Sequence, residues 1–278
     1  MGASVAIEPV RSDQLGAVRQ LRAAVGWQAD SRSVQELADL VGPGLFLLWE
    51  GDRAVGMVSA IAHKTLGYIG NVAVLPAYRH RGYGTSLTQW AMGFLLEQGV
   101  KTIALEATAL GEPVYRRLGF REGPQTDSYL VGGRVHLHGS EAVFSANPRQ
   151  LDTIVSYDRS HYPGDRERLL RFWMARRRAF VYWDHPMQLR GYIFVGEGAI
   201  GPWMADDPRI AEALLAAALS ATHFWSSLHI SIFADNQAAC HLLESCGASI
   251  TMRTRHMEYG ATVRWPKQLF GLGDLALG

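Results

Sequence analysis

Gly70-Asn-Val-Ala-Val-Leu-Pro-Ala-Tyr-Arg-His-Arg-Gly-Tyr-Gly-Thr85 runs from an alternating apolar strand through a short basic turn into an amphipathic helix. Val72 and Val74 share one face until Pro76 stops the strand, and the turn carries the spacing Arg79-x-x-Gly82-x-Gly84. Glycines at such a turn let consecutive backbone N–H groups converge on one concavity, to which the new helix adds its positive end. A nest of this kind holds an anion with several charges, and a diphosphate is its natural guest.

Three kinds of phosphate loop compete for this stretch. A nucleoside triphosphate loop requires Gly-x-x-x-x-Gly-Lys-Ser/Thr, yet no Lys-Ser or Lys-Thr follows Gly84, and Lys64-Thr65 lies upstream without the glycines. A dinucleotide fingerprint requires a glycine or alanine where Leu87 stands. The third pattern is Arg/Gln-x-x-Gly-x-Gly/Ala between strand and helix. It is matched at every defining position, and in it the stretch resembles the acetyl-CoA loop of the GNAT superfamily of N-acetyltransferases. A solvated basic turn is the plainer alternative, and the agreement of strand, loop and helix context argues against it.

The rest of the composition narrows the class. With 278 residues there is room for one large or two ordinary domains. Hydrophobic residues make up 48% and charged residues 19%, a normal globular balance, and a net charge of +1 gives no global field to recruit nucleic acid or an anionic membrane. No apolar run approaches the roughly 20 residues that span a bilayer, and the amino terminus lacks the pattern of a signal peptide. A cytoplasmic protein is expected.

Cys240 and Cys246 fall on different sides of an expected helix and read as small, half-buried hydrophobes rather than a disulfide or metal pair. His136 and His138 alternate along a strand-like run, but no third ligand accompanies them, so no metal site is expected. The arginines at 171 and 176–178, interleaved with Phe172 and Trp173, read as a solvated helix face before they read as a nucleic-acid surface.

Along the chain, strands are expected at 4–9, 45–50, 54–63, up to Pro76 and 101–107. Helices are expected at 12–24, 34–42, 85–98 and 111–118, the third with a buried stripe of Leu87, Trp90, Ala91, Phe94 and Leu95 and a stop at Gly99. The second half repeats this order: a short strand near 141–145, helices 148–160 and 165–178, and strands 179–184 and 189–195 around Asp184-His185-Pro186. Strand 199–204, helix 207–221, strand 228–233 and helix 235–246 complete it. Leu243-Glu-Ser-Cys-Gly247-Ala248 parallels Tyr115-Arg-Arg-Leu-Gly119-Phe120, which reads as an internal duplication with a boundary near 138–145. The copy is incomplete. In place of the glycine loop it has Ala205-Asp206-Asp207-Pro208-Arg209-Ile210-Ala211, whose aspartates would repel a diphosphate, and in place of Tyr115 it has Leu243.

The GNAT resemblance covers residues 4 to 138, through Val72-Ala-Val-Leu-Pro, the Arg79–Gly84 loop and Tyr115-x-x-x-Gly119-Phe120. The whole chain looks like the bacterial tandem type, and Gly26-Trp27, Leu105-Glu-Ala-Thr108, Tyr157-Asp158, Gly164-Asp165-Arg166 and Gly201-Pro202-Trp203 are similar to that subgroup. The resemblance implies an α/β fold of tandem GNAT-like domains, each a splayed mixed sheet flanked by helices. Residues 1–140 would form the catalytic, acetyl-CoA-binding domain. Residues 141–278 would form a degenerate domain that walls the acceptor site, with Trp27, Trp183 and Trp203 as candidate wall residues.

By the same resemblance, the backbone of Val72, Ala73 and Val74 would bind the pantetheine arm, and an N–H near Val74 would face the thioester carbonyl. Arg79, His80, Arg81, Gly82, Tyr83, Gly84 and Thr85 would take the diphosphate, the N–H groups from Arg81 to Thr85 foremost. The Arg79 and Arg81 side chains would either assist or remain solvated. Tyr115 sits where the family places its general acid, or else it is a core tyrosine. A lysine-like amine of pKa about 10.4 is neutral in only about one molecule in two thousand at pH 7, so a base or water chain is needed. Relatives that modify protein lysines place a glutamate where Tyr68 stands, a departure that weakens that reading. Glu106 is the nearest carboxylate and is equally able to orient the acceptor or to be ordinary surface; Asn71 would bind an acceptor or a water.

The expected activity is therefore acetyl transfer from acetyl-CoA to a primary amine of a small molecule or peptide-like acceptor, by direct attack in a ternary complex. The rival is a non-catalytic acyl-CoA-binding or sensing module. No nucleic acid or membrane partner is expected, and a homodimer is compatible with the sequence.

Overall fold

The structure is a computed structural model that describes residues 4–131, 137–184, 187–196, 198–222 and 227–278. The expectations on His136 and on the His185-Pro186 turn lie outside the described residues. Two compact units interleave along the chain: Met1–Glu122 with Met257–Thr262 and Leu277, and Gly123–His256 with Val263–Ala276 and Gly278.

In the first unit the order is β1 (Val5–Pro9), α1 (Leu15–Ala24), α2 (Ser31–Val41), β2 (Leu45–Glu50), β3 (Arg53–His63), β4 (Leu66–Val74), α3 (Tyr83–Glu97), β5 (Thr102–Ala107) and α4 (Glu112–Arg117). Strands β1 to β4 form an antiparallel meander, and β5 joins β4 in parallel after the α3 crossover. Asp30 starts α2 by accepting the Ser33 N–H, and Gly42, at φ +57°, ends it.

The inner face of α3 is Leu87, Thr88, Ala91, Met92 and Leu95. Leu87 and Leu95 are wholly buried, and each contributes about 1.5–3 kcal/mol of transfer free energy. Trp90 departs from the expected stripe: it is 46% exposed and meets Phe46 edge-on at 6.2 Å. The stripe is narrower than its apolar residues suggest because the helix covers the sheet with one face only.

The second unit holds β6 (Arg121–Val131), β7 (Val143–Ser145), α5 (Leu151–His161), α6 (Glu167–Met174), β8 (Arg178–Asp184), β9 (Gln188–Gly196), β10 (Ala199–Ala205), α7 (Pro208–Ser220), β11 (Leu228–Phe233), α8 (Gln237–Ser245), β12 (Ser249–Gly260) and β13 (Leu269–Gly271). Residues 257–260 of β12 belong to the first unit, as does the start of β6 through Glu122. Strands β7 to β10 are antiparallel, β11 runs parallel to β10, and β6 pairs antiparallel with β11.

Helix α6 is shorter than the run 165–178 suggests. The Arg176 and Arg177 N–H groups turn back onto the Trp173 carbonyl, and Arg178 already opens β8. Those arginines are engaged locally: Arg177 donates to the Gly201 carbonyl, Arg178 to that of Ala221, and Arg171 pairs with Glu167 and Asp152. His138 pairs with Glu212, both cysteines are free, and no metal-holding cluster occurs among the described residues. No described helix is long and apolar enough to cross a membrane.

Candidate active site

The β4–β5 ladder begins Leu66↔Thr102, continues Gly67↔Ile103 and Tyr68↔Ala104, and stops there. Strand β4 runs on to Val74 and β5 to Ala107, so the two part along their C-terminal halves. On its other edge β4 stays on β3, with a bulge: Met57 faces Ala73 and Ser59 faces Gly70, leaving Asn71 and Val72 opposite Val58. Asn71 takes φ +52° there, a left-handed conformation that asparagine tolerates better than most residues.

Beyond the bulge the direction of each backbone group is fixed. The Leu75 N–H donates to the Val55 carbonyl of β3 at 2.9 Å. Alternation along an extended strand then turns the Val74 N–H away from β3, toward the side where β5 has departed. Val74 is one of the residues whose backbone the GNAT resemblance assigns to the pantetheine arm.

The bulge is clasped by side chains. Arg22 Nη1 donates to Asn71 Oδ1 at 2.5 Å, and Asn71 Nδ2 donates to Ser59 Oγ at 2.9 Å. The Arg22 Nε donates to the Gln28 carbonyl, and the guanidinium lies 5.8 Å from the Trp27 ring centroid. Asn71 is thus occupied by the fold rather than turned outward to an acceptor. Sequence reasoning missed Arg22, whose place at the end of the α1 apolar stripe was its only signal.

After Leu75 a turn of 3₁₀ helix (Pro76–Tyr78) leads to His80, at φ +63°, and Gly82, at φ +83°. Gly82 is the N-cap of α3 and no side chain caps it. The first turn closes with the Ser86 N–H on the Gly82 carbonyl, so the N–H groups of Tyr83, Gly84 and Thr85 stand ahead of it, pointing out of the helix end. A Cβ added at Gly82 or at Gly84 would meet nothing within 4 Å.

The two glycines therefore have different causes. Gly82 needs its positive φ. Gly84 has neither positive φ nor a close neighbour, and as a helical residue it sacrifices up to about 1 kcal/mol against alanine. Nothing in the fold itself requires a glycine at 84.

The basic side chains are placed less simply. Arg79 Nε donates to the Val74 carbonyl and ties the loop to the strand. Arg81 pairs with Glu50 at 3.3 Å and lies over the Tyr78 ring, and the Tyr83 hydroxyl donates to the same Glu50 at 2.6 Å. That bond, helped by partial burial, raises the Tyr83 pKa and keeps the phenol neutral. Glu50 thus offsets the Arg81 charge beside the nest, and nothing in the loop's own sequence announced it.

Tyr115 lies on α4, 8% exposed, edge-on to Phe120 at 6.0 Å, in the core cluster that includes Leu105, Ala107 and Met257. Burial pushes its pKa up to about 12. Its ring lies against Gly111, where an added Cβ would come within 2.8 Å of Cε2; only glycine leaves room for the ring in this position. Glu106 is half-buried on β5, past the point where the strands part. Tyr68 is a core residue beside His63, before the parting.

The second unit carries the corresponding elements with altered chemistry. Strand β10 repeats the bulge: Ile200 faces Val195 and Trp203 faces Ile193, leaving Gly201-Pro202 opposite Phe194. Pro202 has no N–H to offer where Val72 has one. At the start of α7 the Asp207 carboxylate accepts the N–H groups of Arg209 and Ile210, so a side chain takes the place an anion would occupy. Asp206 is bound by Tyr157 and Arg190. Leu243, at the position of Tyr115, is wholly buried, as is Trp203, which belongs to the core and not to a cleft wall.

Residues 17–120 match the acetyltransferase (GNAT) family, and residues 154–271 match an acetyltransferase (GNAT) domain. No curated protein matches the chain. Among solved structures, a proposed acetyltransferase of Pyrococcus horikoshii is similar at 24% identity, TM-score 0.86, over 99% of this chain and 96% of its own. A GCN5-related N-acetyltransferase of Sphaerobacter thermophilus is similar at 14% identity, TM-score 0.67, over 99% and 98%. A tandem GNAT protein from the clavulanic acid biosynthesis pathway is similar at 14% identity, TM-score 0.62, over 94% and 100%. At such identities these structures speak for the fold, and the two sequence matches speak for the family: the chain belongs to the GNAT acetyltransferases, with one GNAT domain in each half.

Proposed function

We propose that the first unit transfers an acetyl group from acetyl-CoA to a primary amine of a small molecule or peptide-like acceptor, and that the second unit is a catalytically silent copy. The observation that carries the reading is the uncapped α3 N-terminus, with a glycine at 84 that the fold itself does not require. The chemistry of the donor set fits acetyl-CoA. Convergent N–H groups at a helix end suit its diphosphate, and strand N–H groups beside a parted neighbour suit its amide-bearing arm.

Bound there, acetyl-CoA supplies an activated acetyl group as a thioester. Tyr83, Gly84 and Thr85 would hold the diphosphate through backbone N–H groups, and Val72 would hold the arm. The Val74 N–H would donate to the thioester carbonyl oxygen, where negative charge develops during attack by the amine. Tyr115, neutral at every physiological pH, would donate a hydrogen bond to the departing sulfur. A phenol of pKa near 12 is a weaker acid than a thiol of about 8.5. It would therefore stabilise the leaving thiolate as a donor and would yield its proton only in step with replacement from the acceptor's ammonium. Glu106 would take the amine proton or orient the acceptor.

Incubation with acetyl-CoA and a panel of amines, followed by free-thiol release, tests the reading. Turnover with at least one amine, abolished by Gly82→Asp, supports it. Tight acetyl-CoA binding with no turnover across a broad panel would instead favour a binding or sensing module.

A further inference from the structure

In the second unit the place where the strands part is filled. Strands β10 and β11 pair only at Ala199↔His229, so they separate even earlier than β4 and β5 do. Into the space between them runs β13. It pairs antiparallel with β10, with Trp203 facing Gly271 and Met204 facing Leu269. The Ala205 N–H donates to the Gln268 carbonyl at 3.0 Å, and on the other side the Leu272 N–H donates to the Ser231 carbonyl of β11 at 2.8 Å. Asn236, the N-cap of α8, donates its side-chain amide to the Lys267 and Leu269 carbonyls and fixes the segment's register. In the first unit the described neighbours of β4 are β3 and β5 alone.

Three details show that the slot is built for a peptide. A Cβ at Gly271 would stand 3.2 Å from Ile230 on β11 and 3.3 Å from Trp203 on β10, so a larger side chain there would press on both walls. The β10 bulge is glycine at 201, at φ +127°, and a Cβ there would lie 2.1 Å from the Leu272 carbonyl oxygen. Phe270 is buried against Trp203 with ring centroids 5.2 Å apart, which anchors the segment by apolar contact as well as by its ladder.

We propose that β13 is a built-in occupant of the second unit's cofactor-arm slot: residues 268–272 take the backbone hydrogen bonds that an acyl-CoA arm would otherwise take between the parted strands. The slot has become a docking site for an extended peptide of the sequence Gln-Leu-Phe-Gly-Leu, held by strand addition and one aromatic anchor. The identity of the slot rests on the acetyl-CoA reading of the first unit; the presence of the peptide in it does not. Asp207 closes the anion nest separately, so eviction of β13 opens a peptide groove and not a second acetyl-CoA site.

The test uses the full chain and two variants, Gly271→Val, which widens the segment, and Gly201→Ala, which narrows the wall. Amide exchange at Ala205 and Leu272, acetyl-CoA stoichiometry, and binding of a synthetic Trp-Pro-Lys-Gln-Leu-Phe-Gly-Leu-Gly peptide are measured on each. The expected result is slow exchange in the unaltered chain and at least 100-fold faster exchange at both amides in the variants. The peptide is expected to bind Gly271→Val, whose walls are unaltered, and neither the unaltered chain nor Gly201→Ala, whose new methyl blocks the peptide as it blocks β13. If a variant fails to fold, the milder Gly271→Ala, whose Cβ requires only a few tenths of an ångström of movement, takes its place. Unprotected amides in the unaltered chain, retained protection in the folded variants, a folded Gly271 variant that ignores the peptide, or a Gly201→Ala variant that binds it would overturn the proposal. Zero acetyl-CoA equivalents in every sample would overturn the first-unit reading and leave the β13 result standing.

Discussion

Replacing Gly84 by valine separates the ligand's demands from the fold's. Valine fits the free protein: the backbone at 84 is not left-handed, and its Cβ meets nothing within 4 Å. Helix propensity shifts by less than about 0.5 kcal/mol in the variant's favour, so the melting temperature should stay within a few degrees of the parent's. The branched side chain, unlike the alanine that the loop pattern admits, leans toward the helix end and pushes a diphosphate off at least one N–H group. A charge-assisted hydrogen bond contributes about 1.5–3 kcal/mol, so acetyl-CoA affinity should fall roughly 10- to 150-fold. Calorimetric titration and a thermal melt on one preparation give both numbers. Stability held with affinity down is the expected outcome, whereas a variant that binds acetyl-CoA as tightly as the parent would refute this account of Gly84.

Four further variants carry expected outcomes. Tyr115→Phe should lower turnover by roughly 10²-fold or more while acetyl-CoA affinity changes less than a few-fold. Because the folded pKa of Tyr115 is raised to about 12 from an unfolded value of 10, its contribution to stability is whole below pH 10 and lost as pH rises through 12. The stability difference between parent and Tyr115→Phe, followed by denaturant titration across that window, should therefore shrink by about 2–3 kcal/mol. Gly111→Ala should displace the Tyr115 ring and reduce kcat with little change in acetyl-CoA affinity, as single-turnover kinetics can show. Arg22→Ala should release Asn71 and misalign the Val72–Val74 N–H groups, lowering kcat more than it weakens binding; a loss of stability with unchanged kinetics would count against it. Glu50→Gln removes the negative charge paired with Arg81 and should tighten acetyl-CoA binding a few-fold at low salt, an advantage that fades as salt rises.

Much of the first unit was legible because its signals are local. Strand alternation, the Pro76 stop, the glycine spacing and Gly99 each act within a few residues, and β2 through α4 fall within two residues of expectation. What escaped was non-local. The Arg22–Asn71 clasp joins residues 49 apart, and Glu50 reaches Tyr83 across 33. Strand β12, Ser-Ile-Thr-Met-Arg-Thr-Arg-His-Met-Glu-Tyr-Gly, is too polar to stand out, since its first half is exposed. Strand β13 has three residues and acquires its shape only from the walls that hold it. Asp207 could be read as a repulsive charge, but its capping of α7 required coordinates.

The central claim is that the chain holds one acetyl-CoA, on the loop ahead of α3. Calorimetric titration with acetyl-CoA of the unaltered chain, of Gly82→Asp and of Asp207→Gly measures this directly. The account predicts one equivalent for the unaltered chain, none for Gly82→Asp, and one again for Asp207→Gly, where β13 still fills the slot. Two equivalents on the unaltered chain, or one that survives Gly82→Asp, would contradict it.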